Sequence, residues 1–389
     1  MESGVSIVIP TFNGGSIFEH SVGMLLKQDF ARPIEIVVID SGSTDNTVEI
    51  AKSAGAIVHT ISNKDFHHSR TRNQAVAMTS YENVVLLVQD AIPVDEKWLG
   101  RLVSALEDND VVAAYGQQIP HHDADLYARF EVDYHSKYLG DAPIVQEIGS
   151  IKEFEMLPFD EGLRRIRFDN VCAIYKKKVL LETPFPDVPF GEDMAWAFEV
   201  IKQGHVIMYD PRVKVHHSHN RSPNYRFRRA IIDNVVCAEV MGKLKRDMTF
   251  LKYNDLLMIT EKTNQMASKI HEELGHKSAG QGYSLKLLKK SKSIKAIYWF
   301  IMKLAKRAEL NSAVNSGIVL AFQNHINYVL QLIKEQYSNA TNEQLNDTVD
   351  QIVGSMVGGL YGETYASYKQ KGVVPHDIAL LIEENSKGV

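Results

Sequence analysis

The sequence predicts an α/β fold with a mostly parallel sheet flanked by helices, followed by an all-α C-terminal region. Short runs rich in β-branched residues alternate with helical patterns up to about residue 116. These runs are continuously apolar, which is typical of strands that helices cover on both faces of a sheet. After residue 225 strand signals become rare, and the chain reads as a series of helices.

Five runs predict the strands of the first half, and four patterns predict the helices between them. The strands are 5–10, 34–40, 56–61, 84–90 and 111–116, and the helices are 15–28, 45–54, 69–79 and 95–107. Ser43 or Thr44 is the predicted N-cap of the second helix, with Asp45 in its first turn.

The carboxyl ends of parallel strands are where ligands of such sheets bind. This rule places Pro10–Gly15, Asp40–Asp45 and Asp90 on one rim of the predicted sheet. Asp40 can accept hydrogen bonds from a base or from ribose hydroxyls, or it can be a turn acid like Asp45. Asp90 is the single acid of "LLVQDAIP", although a metal that holds a diphosphate usually has several oxygen ligands. Asp90 is therefore either an ordinary strand-end acid, or another part of the chain completes the site.

A helix with arginines in its first turns is predicted at "FHHSRTRN". Ser69 is its predicted cap, and a helix N-terminus and a guanidinium both suit phosphate oxygens. Both Arg70 and Arg72 lie in these first turns. Alternatively, Arg72 forms a salt bridge to Asp40 or Asp90 that shapes the pocket.

An acid pair opens the helix predicted at "GEDMAWAFEVIKQG". Apolar spacing starts the helix after Gly191 and ends it near Gly204, so Glu192 and Asp193 lie in its first turn. Carboxylates in a first turn favour the helix dipole. Alternatively, Asp193 faces a cleft as a general base, while Glu192 braces the helix or the acceptor.

Two histidines lie near the end of the strand predicted over residues 213–221. Side chains alternate along a strand, so His217 and His219 share one face with Val213 and Val215. These histidines are either metal ligands or part of a solvated turn.

Composition narrows the class of protein. The 389 residues are 44% apolar and predict a globular chain of two or three domains. A net charge of −5 argues against a chain-wide role in nucleic-acid binding. The cysteines Cys172 and Cys237 lie far apart in sequence, which fits a reducing cytoplasm. The strand-like run at residues 5–10 leaves no room for a signal segment, and apolar runs stay shorter than the about 18 residues of a membrane span. We therefore expect a cytoplasmic protein that is not integral to a membrane.

Several motifs together resemble a known family. "VSIVIPTFNGG", "VVIDSGSTDNTVEIA", "FHHSRTRNQA", "LLVQDAIP", "YGQQIPHHDA", "FGEDMAWAFEVIKQG" and "VHHSHN" are similar, in this order, to inverting glycosyltransferases of family 2 with the GT-A fold. More narrowly, the later motifs resemble bacterial rhamnosyltransferases of surface polysaccharide synthesis. The resemblance covers about residues 5–225. It implies a catalytic domain at 1–225, with a donor half at 1–116 and an acceptor half at 117–225. Beyond the resemblance, the sequence pattern itself predicts a helical region at 226–389 with a linker at 276–284.

The resemblance also implies roles for individual residues. Asp193, Glu192 and Arg72 would be catalytic, and Gln118, Asn170 and Glu192 would bind the acceptor. The metal ligands would be Asp90, His217 and, more weakly, His219. Donor binding would fall to Pro10, Thr11, Asn13, Asp40, Ser41, Gly42, Arg72, Asn73, Gln89 and Asp90. The family commonly has Asp-x-Asp at the metal site, so Gln89 and Ala91 depart from its pattern. Gln118 and Asn170 can instead satisfy buried backbone groups.

The implied reaction is a single displacement at the anomeric carbon with Mg²⁺ or Mn²⁺ as cofactor. The donor would be dTDP-β-L-rhamnose, and the acceptor a hydroxyl of a growing surface polysaccharide or lipid-linked glycan. One alternative is a family 2 transferase that uses a UDP-sugar of glucose, galactose or N-acetylhexosamine. Another is a protein that binds a nucleotide or glycan without turnover.

A basic stretch lies in the C-terminal region at residues 286–307. It carries seven lysines and one arginine around Trp299, without an acid. Such a stretch suits an anionic membrane surface, which would make the protein peripheral at the inner face of the cytoplasmic membrane. Alternatively, it is a helix packed on the catalytic domain or on a second subunit. The apolar segment 318–333 fits core packing or a homodimer contact.

Overall fold

A computed structural model describes residues 4–107, 110–275 and 312–386. The predicted linker 276–284 and the basic stretch 286–307 lie outside these residues. The chain divides into two compact units. The first unit contains residues 1–124 and 131–219, and the second contains 125–130 and 220–389.

The first unit is built on a sheet that has nine strands within the described residues. They are β1 (Val5–Thr11), β2 (Ile34–Asp40), β3 (Ile57–Thr60), β4 (Asn83–Leu87), β5 (Ile92–Pro93), β6 (Val111–Ile119), β7 (Ile144–Gln146), β8 (Cys172–Lys176) and β9 (Val206–His216). Their order across the sheet is β3-β2-β1-β4-β8-β6-β9-β5, and β7 pairs with β9. The pairs β1/β2, β1/β4, β2/β3 and β6/β9 are parallel.

Antiparallel pairs interrupt this arrangement at one strand and at two short edges. β8 lies between β4 and β6 and runs antiparallel to both. The short strands β5 and β7 are both antiparallel to β9. The predicted α/β fold with a mostly parallel sheet is confirmed. The apolar pattern of the sequence does not indicate the direction of a strand, so it did not predict that β8 is antiparallel.

Nine helices and one 3₁₀ turn, Asn63–Asp65, accompany the strands in the described chain up to residue 202. They are α1 (Gly15–Leu25), α2 (Thr47–Ser53), α3 (His68–Met78), α4 (Trp98–Ser104), α5 (Leu126–Leu139), α6 (Ile151–Met156), α7 (Phe159–Ile166), α8 (Lys177–Glu182) and α9 (Glu192–Lys202). The first residues of α5 belong to the second unit. Both faces of the sheet are covered, because consecutive residues Ile7, Val8 and Ile9 of β1 are all fully buried.

Two predicted helix caps are wrong. α2 begins at Thr47 after Asn46, so neither Ser43 nor Thr44 caps it and Asp45 precedes the helix. α3 begins at His68, which puts Ser69 inside the first turn rather than at the cap. In the first case Ser43 is engaged elsewhere, because its hydroxyl donates to Asp40 and accepts from a backbone N–H of a neighbouring loop.

The second unit is helical in its described residues, which confirms the predicted all-α C-terminal region. Its helices are α10 (Pro223–Met241), α11 (Tyr253–Glu273), α12 (Ser312–Gln336), α13 (Asn342–Gln370) and α14 (His376–Ser386). α10 and α13 approach closely at glycines of α13. A Cβ atom at Gly354 would overlap the Pro223 carbonyl oxygen, and one at Gly358 would overlap that of Phe227. None of the helices in the described ranges is long and apolar enough to cross a membrane.

Candidate active site

Asp40 organises the loop that follows β2. Its carboxylate is buried, with 1% of the residue exposed, and it accepts four hydrogen bonds. The donors are the hydroxyls of Thr11 at 3.1 Å and Ser43 at 2.5 Å, and the backbone N–H groups of Gly42 at 3.0 Å and Ser43 at 2.9 Å. Ser41 adds a link to β1, since its backbone N–H and hydroxyl both donate to the Thr11 carbonyl at 2.9 Å. A carboxylate has about four lone-pair sites. The hydrogen bonds within the protein therefore use most of the acceptor sites of Asp40.

A second set of contacts joins the loops after β1 and β2. Asn13 has a positive φ of 48°, and its side-chain oxygen accepts from the Thr44 backbone N–H at 2.8 Å. The Asn13 N–H donates to the Ser43 hydroxyl at 2.8 Å, and the Gly15 N–H donates to Asp45 at 3.0 Å. The segments predicted to bind the donor therefore form one hydrogen-bonded rim.

Gln89 closes the other side of this rim. Its side-chain amide accepts from the Phe12 N–H at 2.8 Å and donates to the Phe12 carbonyl at 3.2 Å, as a neighbouring strand would. Pro10 lies in β1 opposite Ile39, and the Phe12 side chain is 44% exposed. Gln89 thus fixes the backbone of the rim from the loop that also carries Asp90.

Asp90, His217 and His219 form a cluster that can hold a metal ion. One ligand atom from each lies within 4.8 Å of the other two. The separations from the Asp90 carboxylate are 3.7 Å to Nε2 of His217 and 3.6 Å to Nδ1 of His219. The expected position of the histidines needs correction, because β9 ends at His216 and both lie beyond the strand. His121, which the sequence did not single out, contacts the Asp90 carbonyl through Nε2 at 3.2 Å.

The Gln118 side chain connects this cluster to a second carboxylate. Its amide oxygen lies 2.8 Å from Nδ1 of His217, and its amide nitrogen donates to Asp169 at 3.2 Å. Burial and the nearby Asp193 carboxylate raise the pKa of Asp169 to about 7. Sequence reasoning missed Asp169, although it directly precedes Asn170, a predicted site residue.

Arg72 and Glu192 form a buried ion pair. Arg72 donates to Glu192 at 2.5 Å, and each side chain is 7% exposed. The same guanidinium nitrogen lies 3.3 Å from Nδ1 of His68. Glu192 also accepts from the Asn170 amide at 3.3 Å, and the Asn170 oxygen accepts from the Tyr175 hydroxyl at 2.5 Å. The sequence offered Asp40 or Asp90 as the salt-bridge partner of Arg72. Within the described residues its partner is Glu192 instead.

Asp193 begins α9 beside this ion pair. Gly191 precedes the helix with a φ of 73°, and both Glu192 and Asp193 lie in the first turn, as predicted. The half-buried Asp193 carboxylate accepts from the backbone N–H groups of Asn170 at 3.2 Å and Met194 at 2.8 Å. Burial and the Glu192 carboxylate raise the pKa of Asp193 to about 6. A carboxylate with such a pKa is a stronger base than an ordinary aspartate and is still mostly ionised at neutral pH.

Helix α3 fixes the segment that leads into α9. The Asn73 amide donates to the Phe185 carbonyl at 2.9 Å and accepts from the Phe185 N–H at 3.0 Å. Arg70 forms a bidentate pair with Asp187, with a shortest distance of 2.6 Å. Asn73 was predicted to bind the donor, and its amide is engaged in this contact. Together with Arg72, these residues hold the N-terminal end of α9 and the segment before it.

The fold and the site define a class. The α/β sheet is largely parallel. Near the carboxyl ends of its strands lie a polar rim, a carboxylate–histidine cluster and an aspartate with a raised pKa, an arrangement that fits a nucleotide-sugar transferase. The chain belongs to glycosyl transferase family 2, whose family description matches residues 6–180, and it is a glycosyltransferase. The predicted family and enzyme class are confirmed.

Two relatives with known names align with more than half of this chain. The O-antigen chain rhamnosyltransferase RfbN of Salmonella typhimurium is 34% identical over 232 residues, which are 58% of this chain and 69% of the relative. The O-antigen chain rhamnosyltransferase WbaN of Salmonella anatum is 30% identical over 227 residues, with the same coverage of both chains. Both alignments cover 58% of this chain and leave the other 42% unmatched.

Solved structures give more distant matches. The mannosyltransferase PcManGT from Pyrobaculum calidifontis, in complex with GDP-Man and Mn²⁺, is 20% identical with a TM-score of 0.43. The match covers 58% of this chain and 61% of that protein. Glucosyl-3-phosphoglycerate synthase from Mycobacterium tuberculosis, in complex with Mn²⁺, UDP and glucosyl-3-phosphoglycerate, is 18% identical with a TM-score of 0.42, and the match covers 64% and 82%.

Proposed function

We propose that the protein is an inverting rhamnosyltransferase, which transfers L-rhamnose from dTDP-β-L-rhamnose to a hydroxyl of a surface polysaccharide or lipid-linked glycan. One observation carries the catalytic part: a series of contacts runs from the proposed base to the proposed cation site. Asp193 accepts from the Asn170 backbone, the adjacent Asp169 holds Gln118, and Gln118 holds His217 beside Asp90. The names of the curated relatives support rhamnose as the sugar.

Asp193 is the proposed general base. The acceptor hydroxyl gives its proton to the Asp193 carboxylate while its oxygen attacks the anomeric carbon. The bond from that carbon to the diphosphate oxygen breaks, and the diphosphate leaves with the electron pair. Attack opposite to the leaving group inverts the configuration, so a β-linked donor gives an α-rhamnoside. Glu192 and Arg72 act in this proposal by holding the first turn of α9, since their charges pair with each other.

The cluster of Asp90, His217 and His219 fits a divalent cation. One carboxylate oxygen and two imidazole nitrogens leave coordination positions for diphosphate oxygens and water. A bound Mg²⁺ or Mn²⁺ would offset the negative charge of the leaving diphosphate. Because imidazole is a poor ligand for Mg²⁺, we expect Mn²⁺ to bind more tightly.

The donor nucleotide is proposed to lie on the rim formed by Pro10, Thr11, Asn13, Asp40, Ser41, Gly42 and Gln89. Exposed positions of this rim would face the nucleotide, while the buried Asp40 would act mainly through the loop that it holds. Asn73 would act in the same indirect way through Phe185. Gln118 and Asn170, proposed at the acceptor side, are engaged with protein partners in this structure.

Calorimetric binding of dTDP and UDP, each with and without Mn²⁺ or Mg²⁺, tests the proposal. We expect tighter, cation-dependent binding of dTDP, and we expect Asp90→Ala to remove the cation dependence. Tighter binding of UDP than of dTDP would indicate that the donor is a UDP-sugar, and the proposed mechanism would stay the same. Nucleotide binding that needs no cation, without sugar transfer to any acceptor, would indicate a binding protein instead.

We also propose a peripheral position at an anionic membrane surface and a homodimer through the helical region. The support for the membrane contact is the composition of residues 286–307. The segment 318–333 packs Ile326, Val329, Leu330 and Ile333 into the core of the helical unit, so the support for the dimer is limited to its exposed Leu320 and Tyr328. Replacement of Lys289, Lys290 and Lys292 by Gln should release the protein from anionic vesicles, with neutral vesicles as the control. If the unchanged protein does not bind anionic vesicles, the membrane proposal fails. Sedimentation equilibrium measures the dimer.

A further inference from the structure

The Gln118 side chain lies between a carboxylate and an imidazole. Its amide nitrogen is 3.2 Å from a carboxylate oxygen of Asp169, and its amide oxygen is 2.8 Å from Nδ1 of His217. His217 is 9% exposed, so its ring has little access to water as a substitute partner. The amide is therefore a bridge with a donor at one end and an acceptor at the other.

The direction of this amide decides which ring nitrogen of His217 carries a proton. Above its pKa of about 7, and so at pH 8, Asp169 is mostly ionised and only accepts hydrogen bonds, which requires the amide nitrogen on its side. The amide oxygen then faces His217, and because an oxygen of this kind cannot donate, Nδ1 must carry the proton. In the neutral ring Nε2 is left with its lone pair, and Nε2 is the nitrogen that faces Asp90.

We propose that Gln118 is a positioning residue: its amide, oriented by Asp169, fixes His217 in the Nδ1–H tautomer and presents Nε2 to a divalent cation held with Asp90. The inference builds on the cation site of the proposed function and adds two residues to it. Neither residue touches the cation. Asp169 acts on Gln118, and Gln118 acts on His217.

The reversed amide shows what the arrangement prevents. If the amide nitrogen faced the ring, its N–H would donate a hydrogen bond to Nδ1. Nδ1 would then be unprotonated, and the ring proton would be on Nε2. Nε2–H would then donate towards Asp90, and the ring would offer the cation no lone pair there. Partners that orient a metal-binding histidine in this way commonly change metal affinity by about 10–100-fold when they are removed.

The test uses the whole 389-residue chain and Mn²⁺ alone. Gln118→Leu removes both hydrogen bonds at nearly constant volume, and Gln117→Leu is the matched control, because neighbouring side chains of β6 point to opposite faces. We expect Gln118→Leu to bind Mn²⁺ about 10–100-fold more weakly by electron paramagnetic resonance titration, and Gln117→Leu to bind like the unchanged protein. Thermal unfolding verifies that each variant is folded.

A second measurement needs no variant at the bridge. Long-range ¹H–¹⁵N spectra of histidine-labelled, metal-free protein at pH 8 identify the tautomer of each ring, and His217→Gln assigns the signal. We expect Nδ1–H at His217. An Nε2–H tautomer, or unchanged Mn²⁺ affinity in folded Gln118→Leu, would overturn the inference while leaving the cation site in place. If the unchanged protein does not bind Mn²⁺ with or without nucleotide, the cation site itself is wrong, and the inference with it.

Discussion

The ion pair between Arg72 and Glu192 should dominate the stability of the region around the proposed base. Both side chains are 7% exposed, and the charged groups are in direct contact. At an effective dielectric constant of 20, two unit charges about 4 Å apart attract by about 4 kcal/mol. Removal of one partner also leaves the other charge buried, which costs about 3–5 kcal/mol in comparable pairs. Arg72→Leu should therefore destabilise the protein by about 3–5 kcal/mol.

The chain contains a matched control on the same helix. Arg70 pairs with Asp187 two residues earlier in α3, but these side chains are 69% and 56% exposed. Exposed pairs contribute about 0–1 kcal/mol, because water and salt screen them. Arg70→Leu should consequently change the melting temperature by a few degrees at most, whereas Arg72→Leu should lower it by roughly 6–20 °C.

A double-mutant cycle separates the structural role of Arg72 from a direct contact with donor phosphate. Glu192→Leu should be as destabilising as Arg72→Leu, and the double variant should recover most of the loss, because no buried charge remains unpaired. The assay is thermal unfolding, followed by dTDP calorimetry on the folded double variant. Equal melting temperatures of Arg72→Leu and Arg70→Leu would refute the reasoning. Lost nucleotide affinity in the stable double variant would show that Arg72 contacts the donor.

Further predictions concern the base, the cation and the helical unit. Transfer activity should rise with pH to a half-maximum near pH 6, because a protonated Asp193 cannot accept the hydroxyl proton. Asp193→Asn should abolish transfer at every pH and keep donor binding. Lost donor binding in that variant would make the acid structural. Asp90→Ala should lower Mn²⁺ affinity at least tenfold by titration, and unchanged affinity would contradict the cation site. Gly358→Ala should lower the melting temperature, because its Cβ would overlap the Phe227 carbonyl, whereas Gly317→Ala, which has open space around it, should not.

Much of the sheet could be predicted because its signals are local. β1, β2 and β6 are continuous apolar runs, and their first residues match the predicted ones. The antiparallel direction of β8 could not be predicted, since an apolar strand has the same composition in either direction. The predicted cap at Ser43 failed partly for a related reason: its hydroxyl has the right chemistry for a cap, but it donates to Asp40 three residues earlier and accepts from the distant Asn13 N–H.

The candidate site shows the same division between local and distant information. The first-turn position of Glu192 and Asp193 follows from helical spacing and is correct. The partner of Arg72 lies 120 positions away, so the sequence offered Asp40 and Asp90 as equally good choices. Asp169 lacked any pattern of its own, and only its contact with Gln118 singles it out. The roles of the site residues and the division into donor and acceptor halves stay predictions.

The separation of Arg72 from its partner also bears on how the chain folds during synthesis. Arg72 is made 120 residues before Glu192, and until then its site in α3 would bury a charge without a counter-ion. Such a state is costly, and contacts of long sequence separation form late because the intervening chain must first be ordered. Strands β1 to β4 can pair early because their contacts are nearer in sequence, but α3 can dock fully only after α9 has left the ribosome. A chain that ends before residue 192 would therefore lack the counter-ion of Arg72 as well as Asp193, the proposed base.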